Sequence, residues 1–207
     1  MQYLALVRHG QSEWNVKGLW TGKVDVNLTP LGQQQAEAAG NALQGIHFDH
    51  AFSSAQKRSI NTLTIIKRIL DLKDIPTDEN AALNERDYGD LTGKNKWDIQ
   101  KEFGEEQFLQ WRRGWDTPPP GGESLKDVYH RTVPYFQHHI EPLLAKGESI
   151  IVAASGNSLR AVIKYIEHIP DDKISSIEIN TGEVFLYTMD GIKMLKREIR
   201  ASHQDTV

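Results

Sequence analysis

The residues best suited to chemistry in this 207-residue chain sit in short clusters. The first is Arg8-His9-Gly10, directly after the apolar run Tyr3-Leu4-Ala5-Leu6-Val7. A neutral imidazole is a nucleophile near neutral pH. An arginine fork holds phosphate oxygens at two points. A glycine lets backbone and ligand approach closely. Together they suit phosphoryl transfer; the same three residues also fit a surface histidine in a turn. Ser54 and Arg58 form a second cluster, and Ser155-Gly156-Asn157 a third.

These clusters meet only if strands deliver them side by side. Residues 3–7 read as a buried strand ending at Arg8. Thr29-Pro30 reads as a helix start, with Thr as N-cap and Pro at the first helical position, and the helix runs to about Leu43. Residues 51–53 read as a second strand. Residues 55–70 carry Ile60, Leu63, Ile66 and Leu70 at helical spacing. Residues 81–85 read as a short third strand. Residues 88–120 differ in character, rich in Gly, Lys, Arg and Trp, with helical patterns near 96–103 and 105–115. They read as a lid-like excursion over one end of the sheet. A long helix follows Ser124, capped with Asp127 three residues on. Residues 148–154 read as a strand and 157–168 as a helix. Three β-rich stretches follow: 176–180, 183–189 and 193–197. The tail, residues 201–207, is polar and reads as frayed. The alternation predicts a single α/β domain over residues 1–207, with a mainly parallel sheet flanked by helices. Such sheets bind ligands at the carboxyl ends of their strands, where the three clusters fall.

Composition narrows the function classes. Lys and Arg number 24 against 28 Asp and Glu, a net charge of −4, so no basic face for nucleic acid is expected. With Cys at 0, neither a disulfide framework nor a thiolate zinc site is possible. No apolar run approaches a membrane span, and the N-terminus has no secretory pattern. The expectation is a cytoplasmic protein with no membrane or nucleic-acid partner. The histidines at 47, 50, 130, 138, 139, 168 and 203 form no metal set, so no metal is expected.

Longer segments carry a resemblance. Leu6-Val7-Arg8-His9-Gly10-Gln11-Ser12-Glu13-Trp14-Asn15, Thr21-Gly22, residues 54–58, Leu83-Asn84-Glu85-Arg86-Asp87-Tyr88-Gly89, Asn95-Lys96, Trp111-Arg112-Arg113, Gly122-Glu123-Ser124-Leu125 and Gly156-Asn157-Ser158-Leu159-Arg160 span nearly the whole chain. In them the chain resembles the histidine phosphatase superfamily, in its cofactor-dependent phosphoglycerate mutase branch, short form. The resemblance implies a phosphoglycerate mutase-like α/β fold and an isomerase of glycolysis and gluconeogenesis. It would interconvert 3-phosphoglycerate and 2-phosphoglycerate, primed by 2,3-bisphosphoglycerate, with small phosphorylated three-carbon acids as partners. The implied roles are His9 as the nucleophile that becomes a phosphohistidine, Arg8 and Arg58 as the phosphoryl clamp, and Glu85 as general acid and base. Ser12, Asn15, Thr21, Gly22, Tyr88, Lys96, Arg112, Arg113, Gly156 and Asn157 would hold the rest of the substrate. The branch is usually oligomeric, which implies a homodimer.

One position departs from the pattern. The family has a second histidine before Gly-Asn-Ser-Leu-Arg, and this chain has Ser155. The resemblance thus implies a mutase scaffold impaired by a missing donor, and a histidine there would raise turnover by roughly 10²–10³. Three alternatives are a weak or redirected histidine phosphatase, a non-catalytic binder of phosphorylated ligands, and a serine hydrolase using Ser155. The last lacks the Gly-x-Ser-x-Gly turn such a nucleophile needs.

Overall fold

The structure is a computed structural model that describes residues 1–201. Six strands form one sheet: β1 (Gln2–Arg8), β2 (His50–Ser54), β3 (Thr77–Asn80), β4 (Ile150–Ala154), β5 (Val184–Asp190) and β6 (Lys193–Arg200). Their order is β3-β2-β4-β1-β5-β6. The pairs β3/β2, β2/β4 and β4/β1 are parallel, while β1/β5 and β5/β6 are antiparallel. The sheet is therefore mixed, with a parallel half and an antiparallel edge.

Both faces of the central strands are covered, which explains their unbroken apolar runs. Side chains alternate across a strand. Leu4 and Leu6 of β1 join Ile150 and Val152 of β4 in one cluster. Ala5, Val7, Ile151 and Ala153 join the opposite one. The helices α2 (Pro30–Ala42) and α3 (Lys57–Ile69) cover the second face through Ala39, Leu63 and Ile66. The helices α6 (Leu125–Tyr135), α7 (Glu141–Ala145) and α8 (Gly156–Ile166) cover the first through Tyr135, Leu144, Leu159, Val162 and Ile163. Between β1 and β2 a one-turn helix, α1 (Glu13–Val16), precedes α2.

Local chemistry sets the ends as expected for two helices. Thr29 accepts from the Gly32 amide at 3.0 Å, with Pro30 at the first position of α2. Ser124 and Asp127 form a reciprocal capping box at the start of α6. The 88–120 excursion folds into α4 (Lys96–Phe103) and α5 (Glu105–Arg113). They enclose a small core of Trp20, Leu91, Ile99, Phe108 and Trp111. Arg86, fully buried, ties this wall to the site by donating to the Trp111 and Arg112 carbonyls at 2.8 and 2.9 Å.

Two expected strands are corrected. Residues 81–85 are no strand: Ala81–Leu83 is a 3₁₀ turn capped by Asn80, and β3 lies just before it. As an edge strand with mostly exposed side chains, β3 lacks any apolar signature. Residues 176–180 also form no strand. Their carbonyls serve arginines instead: Ile177 accepts from Arg160 and Ile179 from Arg8. The helix read over 105–115 stops at Arg113, and the helix read over 157–168 stops at Ile166. The expected frayed tail lies, beyond Ala201, outside the described residues.

Candidate active site

The carboxyl ends of β1 and β4 lie side by side, with Arg8 opposite Ala154 in register and the His9 amide donating to the Ala154 carbonyl at 3.0 Å. From β1 the chain goes to α2 on one face; from β4 it enters α8 on the other. This reversal is where parallel sheets open a crevice. Gly10 lets the strand end approach α2 backbone to backbone, because a Cβ on it would lie 2.1 Å from the Gly32 carbonyl oxygen.

His9 is buried, and its Nδ1 lies 2.8 Å from the Gly10 carbonyl. Burial holds the imidazole pKa well below its usual value, and Arg58 and Arg8 push it in the same direction. The ring is therefore neutral, with Nδ1 donating to Gly10 and the Nε2 lone pair available as nucleophile. Arg58, from the first turn of α3, is buried and clamped by the Val24 and Gly22 carbonyls at 2.9 and 3.0 Å. The Thr21-Gly22 turn supplies one of these acceptors, with Gly22 at φ +53°. Arg8 donates to the Ile179 carbonyl at 2.6 Å and packs beside Gly156, the first residue of α8.

Glu85 is held as a carboxylate. Burial raises its pKa, but hydrogen bonds from the Arg86 amide and Asn157, with the charges of Arg58 and Arg86, outweigh this and lower it. Its Oε1 accepts from the Arg86 amide at 2.7 Å and from Asn157 Nδ2 at 2.8 Å. The same Asn157 nitrogen donates to the Tyr88 hydroxyl at 3.0 Å. Arg160 fixes the amide's orientation by donating to its Oδ1 at 2.6 Å.

A cavity of about 480 Å³ opens outward from Arg8. Its cations are Arg8, Lys17, Lys96, Arg112 and Arg113, with Gln11, Asn15 and Trp97 among the other lining residues. Lys96 is pushed down to about 8, first by burial and then by Arg112 and Arg8. Burial, then Arg113, also lowers the Arg112 pKa. Arg113 pairs with Glu178 at 2.7 Å, so the cations are not an ordinary solvated helix face. Ser12 is fully buried and does not line the cavity; it caps α1, donating to Asn15 Oδ1 at 2.8 Å.

The structure thus brings Arg8, His9, Arg58, Glu85, Tyr88, Gly156 and Asn157 around one strand-end centre, with Asn15, Lys96, Arg112 and Arg113 along the adjoining cavity. Sequence reasoning missed Gln11, Lys17, Gln56 and Glu178. Their types carry no signal; their positions come from distant contacts. Trp97 is half exposed and lines the cavity. His47 and His50 pair with Asp49 and Glu148. Among the described residues no three His, Cys, Asp or Glu side chains converge as a metal site, and no helix is long and apolar enough to cross a membrane.

Such a centre can pass a phosphoryl group to a neutral histidine between arginines and move a proton at a nearby carboxylate. Comparison with known proteins agrees with this chemistry. Residues 4–199 match the family model of the histidine phosphatase superfamily (branch 1). The 2,3-bisphosphoglycerate-dependent phosphoglycerate mutase of Nitrobacter winogradskyi is 50% identical over 189 residues, covering 90% of this chain and 91% of that one. The protein of the same name from Cytophaga hutchinsonii is 48% identical, covering 90% and 87%. Among solved structures, YhfR of Bacillus stearothermophilus superposes with a TM-score of 0.82 at 24% identity, covering 94% and 95%. A mycobacterial glucosyl-3-phosphoglycerate phosphatase superposes at 0.81 with 21% identity, covering 96% and 97%. The chain belongs to branch 1 of the histidine phosphatase superfamily, in the family of the 2,3-bisphosphoglycerate-dependent phosphoglycerate mutases.

Proposed function

We propose that this chain interconverts 3-phosphoglycerate and 2-phosphoglycerate through a phosphohistidine on His9, primed by 2,3-bisphosphoglycerate. The observation that carries this reading is the row of cations beyond the His9 centre. A lone phosphate needs only Arg8 and Arg58. Lys96, Arg112 and Arg113 suit a second anionic end, as on a phosphorylated carboxylic acid. A cavity of about 480 Å³ also suits a bisphosphorylated three-carbon acid turning within it.

His9 Nε2 attacks phosphorus of the bisphosphate, forming a P–N bond as the P–O bond breaks, and the departing oxygen, taking up a proton by way of Glu85, leaves as a monophosphoglycerate. In the working cycle the phosphorylated His9 meets a monophosphoglycerate. Glu85 takes the proton of the free hydroxyl while that oxygen attacks phosphorus, and the P–N bond breaks. The bisphosphate turns within the cavity. Glu85 then returns its proton to the departing oxygen as the other phosphoryl group passes to His9. Arg8 and Arg58 balance the charge on the phosphoryl oxygens throughout. The cations that hold the substrate are side chains.

Ser155 supports a second element of the proposal. It stands where the family carries a second histidine, and its short uncharged hydroxyl is directed at Gln56. Turnover is therefore reduced, and water competes better for the phosphohistidine, giving a phosphatase side reaction. Incubation with labelled 2,3-bisphosphoglycerate and 3-phosphoglycerate tests the reading. Acid-labile label on His9 together with 2-phosphoglycerate supports it. Phosphate release without 2-phosphoglycerate replaces it with a phosphatase.

A further inference from the structure

Gln56 precedes α3 and is 2% exposed. Its carboxamide touches four of the segments around the phosphoryl centre, at Gly22, Arg58, Glu85 and Ser155. Nε2 donates to the Gly22 carbonyl at 3.0 Å. Oε1 accepts from Arg58 Nη2 at 2.8 Å and from the Glu85 amide at 3.0 Å. Ser155 Oγ lies 3.5 Å from the same oxygen, at the outer limit of a hydrogen bond. The amide cannot be turned over: its NH₂ would then face three donors and its oxygen a carbonyl.

We propose that Gln56 is a positioning residue for phosphoryl transfer and that it acts as a pair with Ser155; the proposal rests on the phosphohistidine reading above. One oxygen aligns the Arg58 guanidinium and the main chain at Glu85, which links clamp and acid–base group. The carboxamide fits there because residue 155 is short. An imidazole at 155 extends beyond the Oγ position, so its ring meets the carboxamide and drives it off Arg58. A histidine alone at 155 is therefore not enough to supply the missing donor; the carboxamide must go too. Gln56→Leu keeps apolar volume in the buried pocket and removes the head group.

The test compares the parent, Q56L, S155H and the Q56L/S155H double variant. Mutase kcat and KM are measured with 3-phosphoglycerate, and affinity with orthovanadate, which reads the His9–Arg8–Arg58 cradle whatever the natural substrate. Loss of an acceptor for a buried guanidinium costs about tenfold or more. Q56L lowers kcat about tenfold with KM within about threefold, because the outer cations are untouched, and it weakens vanadate binding by a similar factor. S155H gains less than about tenfold, whereas the double variant exceeds the parent by roughly 10². The two changes are thus strongly non-additive.

If Q56L does not fold, Q56M, unbranched and of the same reach, carries the first arm. Full gain from S155H alone, or additive effects, overturns the pairing. An unchanged kcat and vanadate affinity in Q56L and Q56M overturns the positioning role. A parent without mutase turnover but with vanadate binding that weakens in Q56L overturns the mutase reading and leaves Gln56 in place.

Discussion

Asn157 donates to the Glu85 carboxylate at 2.8 Å, joining the N-terminus of α8 to the segment after the 3₁₀ turn at residues 81–83. This bond helps keep Glu85 ionised against its burial. Asn157→Asp replaces the donor with a second acceptor and a like charge. The Glu85 pKa then rises, and the acid limb of the kcat profile moves to higher pH. Turnover falls roughly 10- to 10²-fold, part of the 10²–10⁴ a positioned acid–base group supplies. A pH–rate profile of the two proteins checks both effects; an unmoved acid limb removes Glu85 from the proton transfer.

Lys96 sets the alkaline side. Burial and the neighbouring arginines hold it at about 8. A bound anion favours its charged form, so binding takes up a proton near that pH. Affinity for phosphoglycerate therefore falls as pH rises through about 8, where the substrate phosphate is already fully ionised. Lys96→Arg removes this slope, since arginine stays charged. Titration of KM across about pH 7–9.5 reads the difference.

Arg113, paired with Glu178, lines the cavity, and His9 does not. Arg113→Ala raises KM for phosphoglycerate roughly tenfold or more, the scale of a hydrogen bond to a charged group. It leaves phosphorylation of His9 by a small phosphate donor within about threefold. Equal losses with both donors move Arg113 to the reacting phosphoryl group.

Gly10 tests the architecture beneath the site. An added Cβ meets the Gly32 carbonyl at 2.1 Å, backbone against backbone, with no flexible side chain to yield. Gly10→Ala costs about 3 kcal/mol, at the upper end for overpacking. The check is the urea midpoint; a shift below about 0.5 kcal/mol shows that the chain ends relax at no cost.

What was legible in the sequence follows contact range. Arg8 and His9 were readable because strand, arginine, histidine and glycine are consecutive. Thr29-Pro30 and Ser124 with Asp127 were readable because capping is local. β3 was not, because an exposed edge strand has no apolar pattern to show. Residues 176–180 were misread because a strand and an arginine-serving loop draw on the same apolar residues; only the fold brings Arg8 and Arg160 to their carbonyls. Gln56 stayed hidden because, Arg58 apart, its partners lie 34, 29 and 99 residues away. Glu85, 72 residues from Asn157, entered only through resemblance to a family, whereas Asn157 already stood out at a strand end.

In the proposed reaction His9 carries the phosphoryl group between the two ends of one substrate. Labelled 2,3-bisphosphoglycerate, followed by a chase of unlabelled 3-phosphoglycerate, reads it directly. Acid-labile label is expected on His9, lost to the chase as labelled bisphosphate with 2-phosphoglycerate appearing, and no label at all is expected in His9→Ala. Label persisting in His9→Ala, or label that leaves only as inorganic phosphate, contradicts it.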